Sequence, residues 1–202
     1  MLFDDTYRTI DGPVTGEFRD RGSKFLAFAY PIRTEEDAKI HLQTLRGEHP
    51  RANHHCFAWR LGLDRNHYRI SDDGEPSGTA GRPILNTLYS REITNVLVVV
   101  VRYFGGTLLG VPGLINAYKL ATVEALENAV IVSKTVNESY RIDVGFERLN
   151  DVMRLIKEQQ LTVLNQSFES ECRIDIELRR TLVNAVIGRL EKMEGVRVTF
   201  LG

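Results

Sequence analysis

The sequence predicts an α+β protein of two domains, and three features lead to that reading. From Ile142 to Phe200 the apolar spacing runs strand, helix, strand, strand, helix, strand. Residues 94–101 are almost continuously apolar and lead through a glycine-rich loop into a long helical stripe. Residues 133–139, between these two blocks, are polar and carry no core signal. The domain boundary therefore falls between 135 and 136, giving domains 1–135 and 136–202.

In the first domain the opening segments read as extended, including 24–32. Thr34 starts a helix as N-cap, with Asp37 three residues on as a variant capping box. Residues 53–61 read as a strand and 67–70 as a short one. The turn at 74–76 leads to a helix carrying Ile84, Leu85 and Leu88, with Pro83 in its first turn, where a missing N–H costs little. Residues 94–101 lack polar alternation, so both faces of that strand should be covered. The following helix places Leu114, Ala117, Tyr118, Ala121, Ala125 and Ala129 on one stripe, and its small residues imply close packing on a sheet. One sheet with helices packed on it is an α+β domain.

In the second domain Ile142, Val144 and Phe146 alternate as a half-buried strand. Leu149, Val152, Met153 and Ile156 follow at helical spacing. Residues 161–168 are β-like but irregular, and Ile174, Ile176 and Leu178 alternate. Val183, Val186, Ile187 and Leu190 form a second helix, and Val196, Val198 and Phe200 a last strand. The order β-α-β-β-α-β is the ferredoxin-like one.

Composition narrows the function classes. Of 202 residues, 43% are hydrophobic and 26% charged, enough for a packed core and unlike a disordered chain. No apolar run approaches the roughly 18–20 residues of a membrane helix, so no membrane role is expected. The start MLFDDTYRTIDG has early acids and no basic segment, unlike a secretory signal. Cys56 and Cys172 stand alone, one per domain, which fits a reducing cytoplasm and neither a disulfide framework nor a zinc site. The first domain holds 16 basic and 16 acidic residues and the second 10 and 11. Nucleic-acid binding would therefore need a local patch.

Three segments could carry chemistry. In SDDGEPSGTAGRPIL, residues 71–85, Asp72, Asp73 and Glu75 put three carboxylates just ahead of a helix. Such acids form a capping turn, a hard-cation site or a recognition loop, although the calcium-loop spacing is absent. Ser77, Thr79 and Arg82 of the same string join the candidate binding set. In RYFGGTLLGVPGL, residues 102–114, glycines including Gly105 and Gly106 lie between a buried strand and a helix. They serve a tight turn, or leave backbone N–H groups free for phosphate, though the spacing matches no phosphate-loop pattern. Arg102 and Tyr103 add a cation and an aromatic ring suited to phosphate and base, with Lys24 as a further cation. In NHHC, residues 53–56, His54 and His55 point to opposite faces of a strand and so cannot easily ligate one metal together. One should face the core and the other a cleft, and Cys56 shares a face with His54 as a conceivable nucleophile pair.

Taken together and in this order, SKF at 23–25, EHP at 48–50, HHC at 54–56, the 71–85 string, TNVLVVVVRYFGG at 94–106 and LG…GL…AY at 109–118 resemble the IMPACT family, in its bacterial YigZ-like branch. The match spans most of the first domain. Pro112 stands where the family usually has glycine, and Asn116 where a basic residue is usual. The resemblance implies a first domain like one in a small-subunit ribosomal protein and in domain IV of elongation factor G, and a second like domain V. It also implies a place in translational control, since eukaryotic members compete for the activator of an amino-acid-starvation kinase. The first expectation is therefore a cytoplasmic regulatory binding protein that touches RNA or the ribosome through its first domain. The alternatives are a hydrolase or phosphoryl-transfer enzyme using residues 72–75 with His54 and His55, and a protein-interaction module. No catalytic residue, metal or cofactor is assigned.

Overall fold

The computed structural model describes residues 5–64, 66–169 and 171–202, so the first four residues of the N-terminal reading lie outside it. The chain divides into two compact units: Tyr7–Lys134, and Thr135–Gly202 together with Asp5 and Thr6. Both mix helices with antiparallel sheets.

The first unit begins with β1 (Thr6–Ile10), β2 (Val14–Asp20) and β3 (Ser23–Pro31), followed by α1 (Glu35–Glu48). Then come β4 (His54–Arg60), β5 (Tyr68–Ser71), α2 (Gly81–Ser90), β6 (Val96–Tyr103), α3 (Gly110–Glu127) and β7 (Ile131–Thr135). Strands β2-β3-β6-β4-β5 form an antiparallel sheet in that order, and β1 pairs with β7. The apolar strand β6 sits at the centre. Val96, Val98 and Val100 join the core under α2 and α3, while Leu97, Val99 and Val101 join the one that Ala38 and Leu45 of α1 cover. Both faces are covered, as the unbroken apolar run predicts.

Local chemistry sets the helix positions. Thr34 Oγ1 accepts from the Asp37 N–H, and Asp37 Oδ2 accepts from the N–H groups of Thr34 and Arg33. The two backbone bonds hold the Asp37 carboxyl below its ordinary range. Ala117, Ala121 and Ala125 of α3 are fully buried. A Cβ at Gly16 of β2 would collide with the Ala125 backbone, so this glycine is what lets α3 lie so close on the sheet. Ala129 lies beyond the end of α3.

The second unit runs β8 (Asn137–Val144), α4 (Leu149–Glu158), β9 (Thr162–Phe168), β10 (Cys172–Arg179), α5 (Val183–Leu190) and β11 (Val196–Phe200). The sheet order is β11-β8-β10-β9, antiparallel throughout. Ile142, Val144, Ile174, Ile176 and Leu178 pack against Val152, Leu155, Val186 and Leu190. Phe146 departs from the expected strand. The chain turns after Val144, with the Arg148 N–H bonded to the Gly145 carbonyl, and Phe146 stays exposed. The polar stretch 133–139 is strand rather than loop, since β7 and β8 take nearly all of it. Ladder hydrogen bonds there satisfy a backbone whose side chains are mostly half-exposed and need not be apolar.

Candidate functional site

The acidic turn lies beside the start of β4. Asp73 has φ +41° and Gly74 φ +90°, two successive left-handed residues that reverse the chain. The reversal aims each carboxylate inward or along the backbone. Asp72 accepts from the N–H groups of Gly78, Ala80 and Gly81 at 2.8, 3.0 and 2.9 Å. It thereby caps α2, whose own N-cap position, Ala80, has no side chain for the task. Asp73 accepts from the His55 N–H at 2.6 Å and from Arg46 at 3.3 Å. Glu75 is buried, and its Oε1 accepts from Arg102 Nη1 at 2.5 Å and from the Tyr118 hydroxyl at 2.8 Å.

The histidines sit on opposite faces of β4, as strand geometry requires. His54 Nδ1 donates to the Asp73 carbonyl at 2.8 Å, and its Nε2 lies 3.8 Å from Glu75 Oε1. His55 is buried, and loss of water lowers its pKa against the opposing pull of Asp73. Cys56 is fully buried, donates to the Asp72 carbonyl at 3.0 Å and lies 3.3 Å from the Tyr118 oxygen. Burial pushes the Cys56 thiol and the Tyr118 phenol upward, which disfavours the thiolate that a nucleophile beside His54 would need. Among the described residues no three His, Cys, Asp or Glu side chains converge as a metal site.

The glycine corner joins β6 to α3. Arg102, proposed from the sequence as a phosphate contact, is only 4% exposed. Its guanidinium lies over the rings of Phe25 and Phe104, 5.3 and 5.6 Å from their centres, and is neutralised by Glu75. It therefore presents no free cation at the surface. Tyr103 is half-buried, edge-on to His49, and its hydroxyl lies 2.8 Å from His49 Nδ1. Ser23 Oγ accepts from the Gly105 N–H at 3.1 Å, and Asn53 Oδ1 from the Phe104 N–H at 2.9 Å. Gly105 packs against Gly22 so tightly that a Cβ would overlap the Gly22 backbone, while Gly106 takes φ +86°. Thr79 is buried and donates to the Pro76 carbonyl. Ser77 and Arg82 are exposed, with the Arg82 guanidinium 6.0 Å from the centre of the Tyr68 ring. Lys24 is half-exposed and pairs with Glu17 at 3.1 Å.

Apolar side chains reach solvent at this corner, beside the exposed Thr107 and Asn116. Phe104, Leu108, Val111 and Ile115 are 46%, 81%, 51% and 39% exposed. Phe104 and Leu108 belong to the loop ahead of α3, and Val111 and Ile115 lie on its first turns at an i,i+4 spacing, offset from the buried stripe Leu114, Ala117, Tyr118. Reading the string for its glycines passes over these residues, although the spacing is visible in it. Ser23 and Tyr118, which hold Arg102 and Glu75, also went unassigned.

The Impact N-terminal domain family matches residues 21–126 of the chain. An IMPACT family member from Haemophilus influenzae is 33% identical over 179 residues, covering 86% of this chain and 85% of that protein. The IMPACT family member YigZ of Escherichia coli is 34% identical over 160 residues, 78% of each. A solved structure described as a hypothetical protein superposes over 98% of both chains, at 28% identity and a TM-score of 0.73.

Proposed function

The chain belongs to the IMPACT family, and from that premise we propose that it is a regulatory binding protein of translation, docking a protein surface of the translation apparatus through the corner at 104–115. Family membership supports the translational part, by the resemblance set out above. One observation carries the mode of binding. Asp72, Asp73, Glu75 and Arg102 of the family strings are bonded within the protein, while Phe104, Leu108, Val111 and Ile115 stay exposed. An exposed apolar cluster of this kind marks a protein–protein contact more readily than a phosphate backbone, which calls for free cations. The hydrolase alternative has less support, because Asp72, Asp73 and Glu75, which it uses together with His54 and His55, already bind backbone amides, Arg46, Arg102 and Tyr118. For the domains, the order β11-β8-β10-β9 supports a ferredoxin-like second unit. The sheet with α2 and α3 on one face supports a first unit of the ribosomal-protein and elongation-factor type. We keep 1–135 and 136–202 as the working boundaries, and the cytoplasm as the working compartment. No helix among the described residues is long and apolar enough to cross a membrane.

Co-sedimentation of the full chain with purified ribosomal subunits tests the reading. Leu108→Asp should abolish binding while leaving the circular dichroism spectrum and melting unchanged. Binding by the unaltered chain should change little between about 50 and 200 mM salt, whereas several phosphate contacts would weaken it by orders of magnitude. Binding that survives Leu108→Asp removes the corner from the interface. A steep salt slope would return RNA to first place.

A further inference from the structure

The edge strand of the second unit shows an interaction surface that the function above does not use. Strand β9 ends the order β11-β8-β10-β9, so among the described residues one side of its backbone has no neighbouring strand. Six of its seven residues are exposed, among them Val163, Leu164 and Phe168. Natural sheets discourage strand addition at such an edge with charge or proline. Every other strand that ends a described sheet carries charge: Arg8 in β1, Glu17, Arg19 and Asp20 in β2, Arg69 in β5, Lys134 in β7 and Arg197 in β11. Strand β9, with the sequence TVLNQSF, has neither charge nor proline. Its single irregularity is the extra residue Leu164, where the pairing with β10 slips between Asp175 and Ile176. Past that bulge, Asn165, Gln166, Ser167 and Phe168 pair in regular register with Asp175, Ile174, Arg173 and Cys172. The Gln166 N–H is bonded by the Asn165 side-chain oxygen at 2.9 Å, an acceptor that an incoming carbonyl can replace.

We propose that β9 is a homodimer edge, at which a second copy of this chain adds its own β9 antiparallel about a two-fold axis at Gln166. The occupant follows from self-complementarity. An isologous contact sets the same strand against itself, so any charge within it would meet a like charge near the axis. An uncharged strand meets none. With Gln166 opposite Gln166 of the second copy, Asn165 faces Ser167 and Leu164 faces Phe168. Glu169, just past the strand, then falls opposite Val163 and clear of any acid. Gln166 becomes a hydrogen-bonded pair exchanging N–H and C=O across the axis, and the two four-stranded sheets merge into one.

Sedimentation velocity of the full chain from low to high micromolar concentration tests this, with Gln166→Lys and Gln166→Cys beside the unaltered chain. The unaltered chain should pass from one copy to two, with little effect of salt. Gln166→Lys sets two ammonium groups across the axis and should stay monomeric with an unchanged melting curve. Gln166→Cys should form a covalent dimer with oxidised glutathione, since opposed residues of a hydrogen-bonded antiparallel pair lie about 5.5 Å apart at Cα, within disulfide reach. The native Cys56 and Cys172 are both buried and do not compete. A chain that stays monomeric throughout, a Gln166→Lys variant that dimerises like the unaltered chain, or a Gln166→Cys variant that does not cross-link would each overturn the proposal.

Discussion

Replacing Glu75 by glutamine should unfold the first unit more than any surface change can. The Glu75 and Arg102 side chains are 4% and 5% exposed, and their nearest atoms are 2.5 Å apart. At that depth solvent screening is lost, and the small value of exposed ion pairs does not apply. Glu75→Gln keeps the shape and an acceptor oxygen but leaves the Arg102 guanidinium without its counter-ion, its charge met only by neutral groups: that amide oxygen, Ser23 and the two aromatic rings. It also weakens the acceptor for the Tyr118 hydroxyl. Removing one partner of a buried pair costs about 3–5 kcal/mol. For a unit of this size that corresponds to a fall in Tm of roughly 10–20 °C. The assay is thermal melting of the full chain, followed by circular dichroism at neutral pH. The double change Glu75→Gln, Arg102→Met removes the stranded charge as well, and should cost less than the two single losses added together. A Glu75→Gln protein melting within about 2 °C of the unaltered chain would refute the claim that this pair holds the turn against β6.

Asp72→Ala leaves three amides at the start of α2 without an acceptor, and should cost about 1–3 kcal/mol in urea unfolding, with faster amide exchange at Gly78, Ala80 and Gly81. Burial lowers the His55 pKa below its ordinary 6.5, so the unfolded chain binds the proton first as pH falls. The His55 contribution is therefore complete above pH 6.5 and lost as pH drops towards the lowered folded value; melting between pH 5 and 7 should show this, and His55→Gln should flatten the slope. Gly105→Ala drives a Cβ into the Gly22 and Ser23 backbone, and should lower Tm and shift the amide resonances of both segments. Millimolar magnesium or calcium should leave Tm unchanged, because the carboxylates of residues 72–75 already have protein donors; a dose-dependent rise abolished by Asp73→Asn would contradict this.

Periodic burial made much of the fold legible in the chain. The alternation at Ile174, Ile176 and Leu178 reports a sheet with one covered face, and the unbroken run at 96–101 reports one covered on both. Thr34 and Asp37 announce the start of α1 because a capping box closes within four residues. Strand β7 gave no such signal. Its residues are half-exposed, and the pairing that defines it comes from β1, more than a hundred residues away.

By itself the sequence determined the α+β class, the order of the elements apart from β7, the family and the two strings around which the site is built. Only the tertiary structure decided which way those strings face. Arg102 and Tyr118 are distant in sequence from Glu75, yet they meet on its one oxygen, which turns an apparent surface cation into a buried counter-ion. Phe104, Leu108, Val111 and Ile115 look like core residues by type, yet among the described residues they stay exposed. Spacing along a chain fixes which side chains share a face of a strand or helix, because that depends on local geometry. Whether the face meets solvent, another element or a partner depends on pairings between distant segments, and no local pattern carries that information.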